Sequence, residues 1–402
     1  MPPSVYIMGG AQSDFARNWM REERHFSQVM SEVLQAALDR AKIDPHEVGT
    51  AHVGNFGAEL YAKQGQLGAF VLEADSAFAG LPTSRHEAAC ASGSIAIIAA
   101  MAEIEAGRYD LAAVVGIEQM KTVDSATGGD FLGTAGWYER ECKGKEYPFP
   151  RLFGRLGDEY ERRFGLKDEH LARISEINFA NARRNPLAQT RGWEPSPKLA
   201  QTVAGRLKVR DCSQVTDGAA VVLLASERFA ESYAKRHGRP VGQIPRILGW
   251  GHHTARLEFD AKIAESRDNP YVLPHTRAAI TDAFARAGID SVRELSGIET
   301  HDCFTTSEYM AIDHFGITAP GESWKAIEEG VIETGGRMPI NPSGGLIGAG
   351  HPVGATGVRQ LLDATRQVTG EAGDYQVEGA RRFGVLNIGG SATTSCAFVV
   401  GH

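Results

Sequence analysis

The stretch Glu87-Ala88-Ala89-Cys90-Ala91-Ser92-Gly93-Ser94, continued by Ile95-Ala96-Ile97-Ile98-Ala99-Ala100-Met101, decides how this chain of 402 residues is read. A single cysteine stands where small residues run into a helix that is apolar on every side. Helices of that kind lie in the middle of a domain. The first turn of a helix offers unpaired N–H groups and the positive end of the macrodipole, which biases a cysteine there toward thiolate. An isolated cysteine in such a place is more often a small buried residue than a nucleophile. Reactivity can be assigned to Cys90 only if the rest of the chain supplies partners for it.

Outward from that stretch, strands and helices alternate. Val5 to Gly10 reads as a buried strand ending in a glycine turn, and apolar residues at helical spacing predict an amphipathic helix over 26–41. Ala51 to Phe56 is the next strand, the Cys90 helix ends near Gly107, and Leu111 to Gly116 is a continuous apolar strand. From Glu118 to about Arg210 glycines, aromatics and charges mix. Helices are expected over 152–164 and 168–184, the second stopping before Asn185-Pro186. This texture predicts an insertion carried on the surface, of the kind that often binds ligands. Asp217 to Ala225 returns to buried strand.

The second half repeats the first in order. Ala37 to Asp44 has its counterpart in Ala283 to Asp290, and each is followed by a polar linker and a strand, over 52–56 or 299–304. Each half then has a glycine-rich turn into a helix, at Cys90 and at His351 to Thr356, and closes on an apolar strand, 111–116 or 383–388. Four matches in one order make duplication the better explanation. The alternation predicts an α/β fold with parallel sheets covered by helices, and ligands in such folds sit at the carboxyl ends of strands. Both glycine-rich turns would then face one shared site.

Composition narrows the function classes. A net charge of −8 argues against bulk attraction to nucleic acid or an anionic membrane, while leaving room for a local basic patch on an anionic ligand. Five cysteines, Cys90, Cys142, Cys212, Cys303 and Cys396, have no metal-type spacing and fit free thiols in a reducing compartment. No metal site is expected. His252-His253 are adjacent and lack partner spacing. No run is long enough to span a bilayer, and the chain opens into a strand-like run without the basic and apolar regions of a leader, so cytoplasmic localisation is expected.

Three segments of the second half belong with Cys90: His301-Asp302-Cys303-Phe304, the run Asn341 to Gly357 around His351, and Asn387-Ile388-Gly389-Gly390-Ser391. They offer a second thiol, two imidazoles and a glycine-rich backbone. A thiol of ordinary pKa is a few per cent ionised near neutrality and needs a neighbouring base, a role an imidazole can fill. Glycines let backbone N–H groups approach a reacting carbonyl oxygen. Alone, either histidine is more often a satisfied loop residue, and the glycines could simply make a tight turn. Gly348-Ala349-Gly350 is not read as a dinucleotide fingerprint, because Pro352 interrupts the turn and no buried strand precedes it.

Taken together, the start of the Cys90 helix, Gly350-His351-Pro352 with Gly354-Ala355-Thr356-Gly357, and Asp217-Gly218-Ala219-Ala220 resemble the thiolase superfamily over nearly the whole chain. His301-Asp302-Cys303-Phe304 further resembles the sterol-carrier-protein-2 type, where ordinary biosynthetic thiolases carry Asn-Glu-Ala-Phe. The resemblance implies a five-layered αβαβα thiolase fold of duplicated halves, residues 1–235 with a loop domain at about 118–210, and residues 236–402. It implies acyl-CoA thioester substrates with coenzyme A as cosubstrate and no permanently bound cofactor. A homodimer or dimer of dimers, with room for a small partner protein, also follows.

In the roles so implied, Cys90 is the acyl-accepting nucleophile and His351 its base. His301 helps form the oxyanion hole for the thioester enolate, and the backbone of Cys90 and Gly389 forms a second hole. Gly350, Phe304 and Asn387 are expected to contact substrate. The chain departs from the ordinary pattern at Asn387, where an acid/base cysteine is usual, and the resemblance to the sterol-carrier type transfers that role to Cys303. Cys142, Cys212 and Cys396 are read as structural. Phe131, Trp137, Tyr138, Phe149, Phe153 and Tyr160 either line an acyl tunnel or pack the loop domain, and Arg183 and Arg184 either meet CoA phosphates or cap a solvated helix. The expected reaction is CoA-dependent cleavage of a 3-ketoacyl-CoA or the reverse Claisen condensation. An acyltransferase with a non-CoA acceptor, an aldolase-type relative and a non-catalytic acyl-CoA-binding subunit are the alternatives.

Overall fold

The computed structural model describes residues 4–402, so the part of the N-terminal reading that rests on Met1 to Pro3 lies outside the described residues. The strands in chain order are β1 (Val5–Gln12), β2 (Thr50–Gly54), β3 (Thr83–His86), β4 (Leu111–Glu118), β5 (Thr202–Ala204), β6 (Leu207–Lys208), β7 (Gly218–Ala225), β8 (Arg246–Thr254), β9 (Gly297–Glu299), β10 (Arg382–Gly389) and β11 (Thr394–Gly401). The helices are α1 (Phe26–Ala41), α2 (Ala58–Tyr61), α3 (Ser92–Glu105), α4 (Ser125–Gly133), α5 (Pro148–Phe164), α6 (Asp168–Ala182), α7 (Glu227–Arg236), α8 (Phe259–Glu265), α9 (Pro274–Ala287), α10 (Thr305–His314), α11 (Ser323–Glu328), α12 (Gly345–Ala349) and α13 (Thr356–Thr369). The amphipathic pattern placed α1 at its observed bounds. The strand expected over 299–304 is shorter and earlier, because the Thr300 N–H is taken by the Asn341 side chain at 2.8 Å instead of by a neighbouring strand.

Nine strands join in the order β3-β2-β4-β7-β1-β8-β11-β10-β9. The sheet is mixed, which corrects the expectation of parallel sheets. β2 is parallel to β3 and β4, and β9 is parallel to β10, but β7 runs antiparallel to β4 and β1 and β11 runs antiparallel to β10 and β8. Residues 390–393 are too few for a crossover, so β10 and β11 must form a hairpin. The duplication is visible in these directions. β3-β2-β4-β7-β1 is matched by Ile340-β9-β10-β11-β8, with Ile298 and Ile340 forming a parallel bridge where β2 and β3 pair in the first half. The halves meet at the short β1–β8 pairing, Val5 with Ile247 and Tyr6 with Arg246. The division at residue 235 proposed from the sequence falls in the last turn of α7.

Side-chain alternation along the strands builds the layers. Leu111, Ala113 and Val115 of β4 join the core under α1, while Ala112 and Val114 face the core around α3 and α13. In the second half Phe383 and Val385 of β10 face that same central core, while Leu386 and Ile388 face the one beneath α9 and α10. Helices α3 and α13 are therefore sandwiched between two sheet faces, which is why both are so heavily buried. Their approach is set by the absence of side chains. A Cβ on Gly93 would stand 2.8 Å from the Gly354 carbonyl oxygen, and one on Gly116 would meet the Ala355 Cα and Gly354 oxygen at 2.7 Å.

The insertion is not a surface appendage. Leu152, Phe153, Leu156 and Tyr160 of α5 and Ile174 and Ile177 of α6 share a core with Tyr309, Met310 and Leu346 of the second half. The Tyr160 hydroxyl donates to Asp313 at 2.8 Å. The charged outer faces of these helices hid this in the sequence, because the helices cover the C-terminal half and present their polar stripes to solvent. Since the Gly116 contact is with backbone, Gly116→Ala should cost about 1–3 kcal/mol by overpacking. Gly242→Ala, with open space around its Cβ, should leave the urea midpoint unchanged. A Gly116→Ala midpoint equal to wild type would contradict this packing account.

Candidate active site

Cys90 sits in the turn between β3 and α3, two residues before the helix begins. Ala89 is in the left-handed region at φ 51°, a conformation held because Ser92 Oγ donates to the Ala89 carbonyl at 2.6 Å and accepts the Ala88 N–H at 3.0 Å. Burial works against the bias toward thiolate expected from the start of the helix. Burial pushes Cys90 up to about 12, outweighing the backbone N–H groups of Gly390 and Cys90 that face the sulfur.

The second half brings its three segments to this sulfur. One ligating atom each from Cys90, His301 and His351 lie within 4.8 Å of one another. The two imidazoles meet edge to face with centroids 5.2 Å apart. Thr356 Oγ1 donates to the Pro352 carbonyl at 2.9 Å and lies 2.7 Å from His351 Nδ1. Its single proton is thus committed, so His351 must donate from Nδ1. That leaves the Nε2 lone pair for the thiol. Burial holds His351 down to about 3, so the resting pair is a neutral thiol and a neutral imidazole.

Cys303 lines the same cavity and is pushed well above the ordinary thiol range by burial and then by Cys90. Its sulfur is 4.0 Å from Ser307 Oγ, whose nearer neighbours are the carbonyls of His301 and Phe304. A thiol kept protonated in this way is suited to giving a proton. The cavity holds about 650 Å³ and runs from Cys90, Cys303 and His351 past Phe304 to the start of α5 and to β5. Of the six candidate tunnel aromatics, Phe149 lines it. Phe153 stacks on Phe304 with centroids 4.6 Å apart, Phe131 packs on Tyr61, Tyr138 bonds Asp130, Tyr160 is buried, and Trp137 lies under Arg140.

The remaining candidates are placed as follows. Gly389 packs under the Cys90 turn, where a Cβ would meet the Ala88 carbonyl at 2.2 Å, and it is the Gly390 N–H that faces the sulfur. Gly350 has φ 110° and lies against Thr216, whose hydroxyl accepts the His351 N–H at 2.9 Å. Asn387 is off the cavity wall, behind His301. Arg183 lines a separate cavity of about 300 Å³ with Phe179 and Trp193, and Arg184 bonds Asn181 and Thr334. Cys142, Cys212 and Cys396 are buried free thiols, and Cys212 also borders the main cavity.

Sequence reasoning missed the supports. Glu118 accepts the N–H groups of Phe56 at 2.9 Å, Gly57 at 3.1 Å and Gly354 at 3.0 Å, tying β4 to the His351 loop. Burial still raises it to about 7. Asp302 accepts from Leu346 at 2.6 Å and Ile347 at 3.1 Å and so fixes α12 ahead of His351. Buried Lys262 donates to Ser391 Oγ at 2.6 Å and Thr393 Oγ1 at 3.0 Å, bracing the turn that carries Gly390. A lone acid ending an apolar strand was a usable signal for Glu118. Lys262 gave none.

A nucleophile turn, two converging imidazoles and a second thiol at the head of an acyl-sized cavity, on duplicated halves, define a thiolase-fold site. A family model for the thiolase N-terminal domain matches residues 5–190, and one described as thiolase C-terminal domain-like matches residues 259–402. The chain belongs to the thiolase family. It is 30% identical over 397 residues to the acetyl-CoA acetyltransferase of Methanothermobacter thermautotrophicus, covering 98% of each chain. It is 27% identical over 399 residues to human sterol carrier protein 2, covering 94% of this chain and 68% of that one. The solved structure named Ltp2-ChsH2(DUF35) aldolase has the same fold, with a TM-score of 0.80 at 18% identity, over 100% of this chain and 98% of that one.

With the thiol pushed up to about 12, Cys90 should be alkylated by iodoacetamide at a rate that rises roughly tenfold per pH unit, without a plateau, between about pH 7 and pH 10. Peptide mass spectrometry at timed quenches reads this. A plateau reached by about pH 8 would mean that a thiolate–imidazolium pair already exists.

Proposed function

We propose that this thiolase-type acyltransferase cleaves 3-ketoacyl-CoA with coenzyme A, or condenses two acyl-CoA molecules, through an acyl-enzyme on Cys90. The convergence of Cys90, His301 and His351 within 4.8 Å at the head of one cavity is the observation that carries this reading. In the degradative direction Cys90 sulfur attacks the 3-keto carbon while its proton passes to His351 Nε2. Backbone N–H groups around Cys90 and Gly389–Gly390 receive the oxyanion. The Cα–Cβ bond breaks, and the electron pair moves onto the departing thioester as an enolate, held by the His301 side chain. Cys303 protonates the enolate carbon and releases acetyl-CoA. The proton that His351 took from Cys90 passes to the Cys303 thiolate, restoring both groups. Coenzyme A then enters and gives its thiol proton to His351 as its sulfur attacks the thioester, and the departing Cys90 thiolate takes that proton back. Splitting a carbon–carbon cleavage through a thioester is the benefit of nucleophilic catalysis.

Several finer readings belong to this proposal. Coenzyme A acts as cosubstrate, without a permanently bound cofactor. The residues at the cavity's far wall, Phe149 and Val203 among them, limit the acyl chain. The active unit is a homodimer or a dimer of dimers. A small partner protein remains part of the proposal, in keeping with a structural neighbour whose name joins two proteins. Among the described residues no helix is long and apolar enough to cross a membrane. Cytoplasmic placement is kept as the expectation from the cysteine content.

Mass spectrometry after incubation with acetyl-CoA and with acetoacetyl-CoA tests the reading. Wild type should carry one acyl group on Cys90 from either donor, and Cys90→Ala should carry none. Cys303→Ala should still be acylated by acetyl-CoA while losing carbon–carbon cleavage by at least about 10²-fold. Absence of any adduct on Cys90 would sink the mechanism. An adduct without CoA-dependent cleavage would favour the acyltransferase with another acceptor or the binding subunit.

A further inference from the structure

Where a cysteine is usual, the chain carries Asn387, and its surroundings give that residue a defined task. Asn387 is fully buried on β10, directly behind His301. Its Nδ2 lies 3.1 Å from His301 Nδ1, and its Oδ1 accepts from Ser94 Oγ at 2.7 Å. Ser94 belongs to the first turn of α3, four residues after the nucleophile. A hydrogen-bonded line therefore runs from the nucleophile's own helix, through the Asn387 amide, to the imidazole on the opposite half of the duplication. A Cβ on Gly357 would stand 2.3 Å from Ser94 Oγ and 2.5 Å from Asn387 Oδ1, so α13 closes over the amide and leaves it no room to swing away.

We infer that Asn387 is a positioning residue that sets the tautomer of His301. An amide N–H can only donate, so the nitrogen it meets, Nδ1, must present its lone pair. A neutral imidazole then carries its proton on Nε2, the nitrogen left for the cluster with Cys90 and His351. Burial holds His301 well below the ordinary imidazole range, so it stays neutral and only one ring nitrogen bears hydrogen. The consequence is chemical. His301 offers the site a fixed N–H donor, which is what an enolate oxygen needs, and neither a second base beside His351 nor a lone pair that would complete a Cys-His-His metal site. The two imidazoles, 5.2 Å apart and alike in burial, are thereby given opposite roles. Thr356 Oγ1 accepts from His351 Nδ1–H and leaves Nε2 as the base, while Asn387 donates to His301 Nδ1 and leaves Nε2–H as the donor.

This inference rests on the proposed role of His301 in carbon–carbon chemistry, and its test has an arm that does not depend on activity. In uniformly ¹⁵N-histidine-labelled enzyme, with His301→Asn used to assign the resonances, the His301 signals should show protonated Nε2 and bare Nδ1. In Asn387→Leu, which keeps the side chain's size without the amide, that pattern should give way to Nδ1–H or to a mixture. Kinetically, Asn387→Leu should lower acetoacetyl-CoA cleavage about 10²-fold, the scale of one oxyanion donor, through kcat. Acetyl transfer from acetyl-CoA to Cys90 should fall less than about threefold, because that step uses the backbone hole. Ser94→Ala, which only loosens the amide, should lose cleavage about 10-fold with the same sparing of acylation. Nδ1–H on His301 in the wild type, or equal loss of both half-reactions in a folded Asn387→Leu, would overturn the assignment. Full cleavage activity in Asn387→Leu would do the same. A wild type with the stated tautomer but no CoA-dependent cleavage would overturn the proposed reaction instead.

Discussion

Everything at this site depends on two helices meeting where neither has a side chain. Helices α3 and α13 lie between the two halves of the sheet, and their N-terminal ends touch through Gly93, Gly357 and, in the turn just before α13, Gly354. Because that contact is backbone to backbone, the turn that holds Cys90 and the turn that holds His351 come within reach of one another. The same contact closes the chamber around Asn387. A duplicated fold supplies two equivalent strand ends, but equivalence alone would leave them a helix diameter apart. Removing the side chains at the crossing turns two similar loops into one site with unlike halves, one carrying Cys90 and the other the two imidazoles and Cys303.

The electrostatics follow from that burial. Thiol and imidazole are both held neutral, the thiol raised to about 12 and His351 lowered to about 3. Ionic pairing is thus deferred until a substrate carbonyl and the surrounding N–H groups can share the charge. Beneath the site lies a second set of costly groups. Arg359 is fully buried with Glu299 at 3.2 Å and Asp363 at 3.0 Å, while Asp302 caps α12. Buried ion pairs of this kind add little to net stability. What they do here is fix the relative placement of the loop with His301 and Cys303 and the loop with His351, since Glu299 and Asp302 precede and interrupt the first loop and bond residues of the second.

Much of this was legible in the sequence, and the failures have physical causes. Apolar periodicity located α1, β4, β7 and β10, and the order of repeated segments revealed the duplication because each segment is a short local pattern. Strand direction was not legible. It depends on whether a connection crosses the sheet or turns back, and β7 follows an insertion whose path no local pattern records. The insertion itself looked exposed because its polar stripes dominate its composition, while its buried stripe finds its partner more than a hundred residues away. At the site, residue types with intrinsic chemistry stood out: Cys90, His301, Cys303 and His351. Residues that act by holding others, such as Thr356, Glu118 and Lys262, did not, because their value lies in a contact and not in a side-chain type. Asn387 was noticed as a departure and expected to touch substrate; its place behind His301 could be found only in three dimensions.

The central claim is that the acyl group is parked on the protein between two substrates, and the order of events at steady state tests it most directly. Initial rates of acetoacetyl-CoA cleavage, measured over a grid of acetoacetyl-CoA and free coenzyme A concentrations, should give parallel double-reciprocal lines. That pattern means the first product leaves before coenzyme A binds. Lines that intersect to the left of the ordinate would show both substrates bound together before any chemistry, and would contradict a Cys90 acyl-enzyme on the reaction path.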